Sequence, residues 1–165
     1  MRFHHMCLVV MNLEESLKLY CDVLGFTSFY EEDIPGDDWV FSRKTLEDIF
    51  KINGAKSRCA VLSSDEGAIL ELQQPSVPDV QRTPREMLGY GYTGISELAL
   101  KVSNIGEWFE KIKSAGYETQ TNYIWSAGGT IKSFLFYDPD GNMIQLVEDL
   151  VDDMVSVIVD HTSSQ

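Results

Sequence analysis

The chain repeats itself, and that repetition limits its folds more than any other feature. Residues 5–20, HMCLVVMNLEESLKLY, align with residues 97–112, ELALKVSNIGEWFEKI, at a constant spacing of 92. Leu8 meets Leu100, Val10 meets Val102, Asn12 meets Asn104 and Glu15 meets Glu107. A second match, at a spacing of 74, sets GAILEL (67–72) on GNMIQL (141–146). Each copy has the same opening and the same closing segment, so the fold must be built from two equivalent modules.

Within a module the order of elements is legible. The opening strand leads into a helix with Asn12 or Asn104 at the N-cap and Glu15 or Glu107 three residues on, the capping-box spacing. Leu13, Leu17, Tyr20 and Leu24 form one apolar stripe, and Ile105, Phe109 and Ile112 another. Gly25 and Gly116 end the helices, where a left-handed residue is needed. Strands are expected at Thr27–Tyr30, Cys59–Leu62 and Ala68–Gln73 in the first copy, and at Glu118–Tyr123, Ser133–Tyr137 and Met143–Val147 in the second. The expected class is α+β, with βαβββ written twice. The first module spans 1–75 with an insertion at 33–56, whose TLEDIFKI predicts a short helix. A Pro- and Gly-rich linker at 76–93 follows, then the second module at 94–149 and an acidic tail at 150–165.

Composition narrows the function classes. A formal net charge of −13 argues against nucleic acid or an anionic membrane as partner. There is no run of 18 apolar residues, and MRFHHMCLVV does not read as a secretory leader. Three cysteines without CxxC spacing give no zinc-finger or disulfide signal and fit a reducing, cytoplasmic compartment.

Alternation along the strands picks out four polar positions. Met6, Leu8 and Val10 take the helix side, leaving His5, Cys7 and Val9 opposite. Leu98, Leu100 and Val102 likewise leave Glu97, Ala99 and Lys101 opposite. In the closing strands Leu70 and Leu72 oppose Glu71, and Ile144 and Leu146 oppose Gln145. By the duplication His5 is equivalent to Glu97, and Glu71 to Gln145. A single Glu in LEL or Gln in IQL reads as a solvent-facing strand residue. Four polar residues on matched positions of a repeat read differently: if the sheets share a cavity they converge on it, and all four are N or O donors suited to a divalent ion. Trp39, Tyr92, Trp125, Phe134 and Phe136 are candidates to line such a cavity. Lys101, Arg58, Arg82 and Arg85 are candidates to hold an anion or to stay solvated. SAGGT (126–130) has the flexibility of a lid.

HMCLVVMNLEESLKLYCDVLGF (5–26), AILELQQP (68–75), GISELALKV (94–102) and YDPDGNMIQLVE (137–148) together resemble the vicinal oxygen chelate superfamily. It includes glyoxalase I, methylmalonyl-CoA epimerase, extradiol dioxygenases, and the fosfomycin and bleomycin resistance proteins. The resemblance implies paired βαβββ modules, each a cupped mixed sheet, forming a shared metal-binding cavity. It places the ligands at His5, Glu71, Glu97 and Gln145, implies a homodimer, and makes a small molecule the substrate. Glu97 stands where His is usual and Gln145 where Glu is usual. With one His among the ligands, the two-His site of the ring-cleaving dioxygenases is disfavoured. The expected activity is that of a metal-dependent isomerase, epimerase or lyase of glyoxalase type, acting on a carbonyl or thioester through an enolate. Glu97 or Glu71 would be its base, and the ion would be Mn, Fe, Co, Ni or Zn. The alternative is a non-catalytic protein of the same fold that binds an antibiotic or toxin.

Overall fold

The computed structural model describes residues 2–36 and 41–152. The chain divides into two compact units, at Thr83 and Pro84. The expected aromatic Trp39, and the acidic tail beyond Asp152, lie outside the described residues.

The first unit holds β1 (Met6–Val9), α1 (Leu13–Leu17), β2 (Thr27–Ile34), α2 (Arg43–Phe50), β3 (Lys56–Ser63) and β4 (Ile69–Val77). Its sheet runs β1-β4-β3-β2, with β1 parallel to β4 and the other pairs antiparallel. The second unit holds β5 (Glu97–Lys101), α3 (Ile105–Ser114), β6 (Trp125–Ala127), β7 (Ile131–Tyr137) and β8 (Met143–Asp149), in the order β5-β8-β7-β6. Again the first strand pairs in parallel with the last. Two mixed four-stranded sheets of identical order are the tandem βαβββ arrangement that the repeat predicts.

Cross-strand partners share a face of the sheet, so a few contacts orient everything. In the first unit the Glu14 carboxylate at the start of α1 pairs with Arg58 at 3.0 Å, and Gln74 Oε1 accepts from the Leu13 N–H at 2.7 Å. Arg58 and Gln74 are register partners. Their face therefore lies under α1, together with the fully buried Ala60, Leu62 and Leu72. In the second unit Phe109 of α3 meets Phe134 edge-on at 5.0 Å, above Phe136, Ile144 and Leu146.

Several expectations need correction. α1 does not continue regularly: from Lys18 to Val23 the helix widens into π turns. Leu24 N donates to Leu19 O at 2.9 Å, and the extra residue rotates Leu19, rather than Leu17, into the core. Asn12 caps as expected, its side chain accepting from Glu15 N at 3.2 Å. Asn104 does not: it is left-handed (φ 58), without a side-chain cap, and its own N–H donates to Glu148 at 2.6 Å. The strand expected at Glu118–Tyr123 is reduced to a single bridge, Thr119 to Phe136, because bends follow at 120–123. Pairing resumes only at Trp125. SAGGT is not a lid. Gly128 and Gly129 (φ 57 and 69) make the tight β6–β7 turn, closed by Thr130 N donating to Ala127 O at 3.0 Å.

The insertion answers a question that the repeat leaves open. Its helix α2 buries Leu46 fully in a cluster with Ile34, Ala55 and Cys59, flanked by Tyr30, Phe41, Phe50 and Val61. Cys59 pairs with Gln73 and Val61 with Glu71. α2 thus covers the face opposite α1, the face that carries Glu71. Among the described residues, no helix is long and apolar enough to cross a membrane.

Candidate metal centre

Register places the four expected ligands in two equivalent pairs, one per unit. In the first, Cys7 is the partner of Glu71, and His5, just ahead of β1, brings its Nε2 to the Glu71 carboxylate. In the second, Ala99 is the partner of Gln145, and Glu97, two residues earlier, opens β5. Each pair spans the parallel junction between first and last strand, on the face opposite the α1 or α3 side.

His5 Nε2 stands 3.7 Å from Glu71 Oε2. Two atoms each ~2.1 Å from one ion would be roughly 3–3.5 Å apart, so the two stand slightly wider than a shared cation would hold them. The other ring nitrogen, Nδ1, is 2.7 Å from Nδ1 of His4, whose ring meets that of His5 edge-on at 5.0 Å. His4 is therefore not turned away from His5, as strict alternation would place it; the residues precede the strand and alternation does not bind them. Glu71 Oε1 accepts from Gln73 Nε2 at 2.7 Å and faces the Cys7 thiol at 3.7 Å. Desolvation around the Cys7 sulfur, reinforced by the Glu71 charge and hydrogen bond, pushes the thiol up to about 12. It stays a thiol, a donor to Glu71 and not a thiolate.

Glu97 is half-buried, and its Oε2 accepts from the Tyr90 hydroxyl at 2.5 Å. That bond, ahead of desolvation and the Glu97 charge, holds the phenol above its ordinary range. Tyr90 comes from the segment after the 3-10 turn Arg85–Met87. The segment is fastened by Arg85, whose guanidinium pairs with both oxygens of Glu118 at 2.8 and 2.9 Å and lies 3.9 Å above the Tyr137 ring. Beneath it is a cavity of about 430 Å3, lined by Leu88, Tyr90, Gln120, Tyr137 and Met143 among others. Met143 is the register partner of Glu97, so the cavity adjoins that carboxylate. The sequence reading missed both Tyr90 and Gln73. Gln73 had a signal, being two residues from Glu71 in one strand; Tyr90 had none, because only the folded linker brings it to Glu97.

The other sequence candidates find different employment. Phe134 and Phe136 are fully buried on the α3 side and line no cavity of the opposite face. Tyr92 is exposed, and Trp125 is half-buried at the end of β6. Lys101 pairs with Asp149 at 2.7 Å, and Arg58 with Glu14 and Glu31 at 3.0 and 2.9 Å, so neither offers a free charge to an anion.

Each pair offers donors that a divalent ion accepts, imidazole with carboxylate in the first unit and carboxylate with amide oxygen in the second. Among the described residues, no three His, Cys, Asp or Glu side chains gather as a metal-holding group.

A family model, the glyoxalase/bleomycin resistance protein/dioxygenase superfamily, matches residues 2–146. A glyoxalase family protein from Bacillus cereus superposes with a TM-score of 0.75 at 15% identity, over 91% of this chain and 95% of that one. A glyoxalase family protein from Enterococcus faecalis gives 0.63 at 23% identity, over 89% and 97%. A mutant of the fosfomycin resistance protein FosX from Listeria monocytogenes, complexed with Mn(II) and 1S,2S-dihydroxypropylphosphonic acid, gives 0.61 at 16% identity, over 96% and 97%. At these identities the likeness is one of fold. No curated protein matches the chain.

Proposed function

The chain belongs to the glyoxalase/bleomycin resistance protein/dioxygenase superfamily, and we propose that within it the protein is a divalent-metal-dependent isomerase, epimerase or lyase. Its substrate is a small carbonyl or thioester compound, its ligands are His5, Glu71, Glu97 and Gln145, and its assembly is a homodimer. The observation that supports this best is the repeated register. Both units put an N- or O-donor two residues ahead of the residue that faces a second donor across a parallel strand pair. A solvent-facing polar residue has no reason to recur at that diagonal.

A bound divalent ion supplies Lewis acidity, polarising the substrate carbonyl and making its α-proton more acidic. The remaining work belongs to the side chains. Tyr90 donates to Glu97 Oε2, so a Glu97 released from the ion would receive the α-proton on Oε1. The same carboxyl returns that proton to the neighbouring carbon on its own side of the enolate, so the isomerisation is redox-neutral. His5 Nε2 and Glu71 Oε2 hold position, since Nδ1 and Oε1 are already engaged. Leu88 and Met143 give the cavity beside Glu97 an apolar side.

The test is metal content of the purified protein by mass spectrometry, with His5→Ala and Glu97→Ala beside it. About one tightly held ion per chain, lost in both variants, together with deuterium exchange into 2-oxo or acyl-thioester substrates that needs Glu97, is the expected result. An absence of metal after reconstitution with Mn, Co, Ni and Zn would overturn the proposal and leave a small-molecule binding protein. Light scattering after gel filtration tests the dimer.

A further inference from the structure

We infer that Gln73 is the positioning residue of the metal centre, fixing which oxygen of Glu71 is offered to the ion. This rests on the function proposed above. Gln73 lies on β4 two residues beyond Glu71, on the same face, and is only 2% exposed. Its Nε2 donates to Glu71 Oε1 at 2.7 Å. The Cys7 thiol approaches that same oxygen at 3.7 Å, while Glu71 Oε2 faces His5 Nε2 at the same distance. One carboxylate oxygen is thus occupied by donors and the other is turned to the imidazole.

The amide's orientation follows from charge. An ionised carboxylate only accepts hydrogen bonds, so Gln73 must present its NH2 and not its oxygen. The consequence is visible at the other end of the amide, where Gln73 Oε1 is buried without a hydrogen-bond partner. A buried polar atom left unpaired destabilises the fold. The surroundings are the apolar cluster beneath α2, where Cys59 is the register partner of Gln73. A methionine or leucine would fill this position without the orphaned oxygen. A glutamine here opposes stability and serves the carboxylate. Partners that orient a ligating carboxylate act through the ligand, and their loss typically lowers metal affinity 10–100-fold.

The experiment compares wild-type protein with Gln73→Met, which keeps length and volume but cannot donate. Dissociation constants for Co(II) and Zn(II) are measured by chelator competition, the visible absorption of the Co(II) form is recorded, and unfolding of the metal-free proteins is followed in urea. The expected result is Co(II) affinity at least 10-fold weaker in Gln73→Met, with an altered Co(II) band, and a metal-free midpoint equal to or above that of wild type. An unchanged affinity and band would overturn the role of Gln73 while leaving the metal centre intact. A lowered metal-free midpoint would also overturn it, by showing that Gln73 serves the fold. A wild-type protein that takes up neither ion would remove the proposed function itself, and Gln73's role with it.

Discussion

Leu46→Ala should loosen the whole insertion from its sheet. Leu46 is the one buried side chain of α2, fully enclosed between Ile34, Ala55 and Cys59. The helix is also held by Phe50 at the edge of that cluster and by Glu47 Oε1 accepting from Gly54 N at 2.7 Å. Ser42 caps its first turn through Thr45 N at 3.2 Å, and Lys44 pairs with Asp48 at 2.7 Å with both side chains mostly exposed and screened by solvent. Truncating Leu to Ala removes three carbons, roughly 2.4 kcal/mol at ~0.8 kcal/mol each, and the cavity left behind adds to that. We expect a loss of about 3 kcal/mol, a large part of the ~5–15 kcal/mol by which a domain is stable. Urea unfolding gives the total, and hydrogen exchange over residues 27–34 and 43–63 shows where it falls. The amides of α2 should exchange much faster, and those of β2 and β3 faster in proportion. A loss below about 1 kcal/mol, with α2 as protected as before, would refute the claim that Leu46 anchors this helix.

The Gly128-Gly129 turn makes a sharper, smaller prediction. A Cβ at Gly129 meets nothing within 4 Å, so Gly129→Ala costs only the left-handed backbone at φ 69, about 1 kcal/mol, or ~2–4 °C in calorimetric Tm. Asp138 makes one about pH. Burial holds its carboxyl above the usual range even though it accepts from Asp140 N, Asn142 N and Asn142 Nδ2 at 2.8–2.9 Å. A raised folded pKa means stability that is fully present below the ordinary Asp value of ~3.9 and lost as pH rises through the folded value. Asp138→Asn should flatten that decline, seen as the difference between wild-type and variant urea midpoints from pH 4 to 7. Identical slopes would refute the burial argument.

The parts of this structure that were legible in the sequence are those governed by local periodicity and by the repeat. Alternation in LEL and IQL assigned faces correctly because each strand has one apolar side under a helix, and the duplication turned two weak observations into one pattern. Gly25 and Gly116 stop their helices at φ 86 and 87 as expected. What escaped were tertiary choices. The π turns after Leu17 depend on burying Leu19 and Tyr20, which no 3.6-residue stripe reveals. The insertion shows one buried residue in its helix, too little to say which side of the sheet it would join. Tyr90 reaches Glu97 across a segment whose sequence, Pro- and Gly-rich, announces a connection and nothing of its path.

The strand order has a consequence for how such a protein can change. In both sheets the proposed ligands sit on the first and last strands, while the second and third form a hairpin at the other edge. In one unit that hairpin closes through Gly128 and Gly129; in the other the same junction has grown to hold α2. Because the hairpin bears no ligand, its loop can lengthen, shorten or be exchanged while the donor atoms keep their register. The surface beside Glu71 is therefore a replaceable part, and ligand selectivity can diverge there without the coordinating strands being rebuilt.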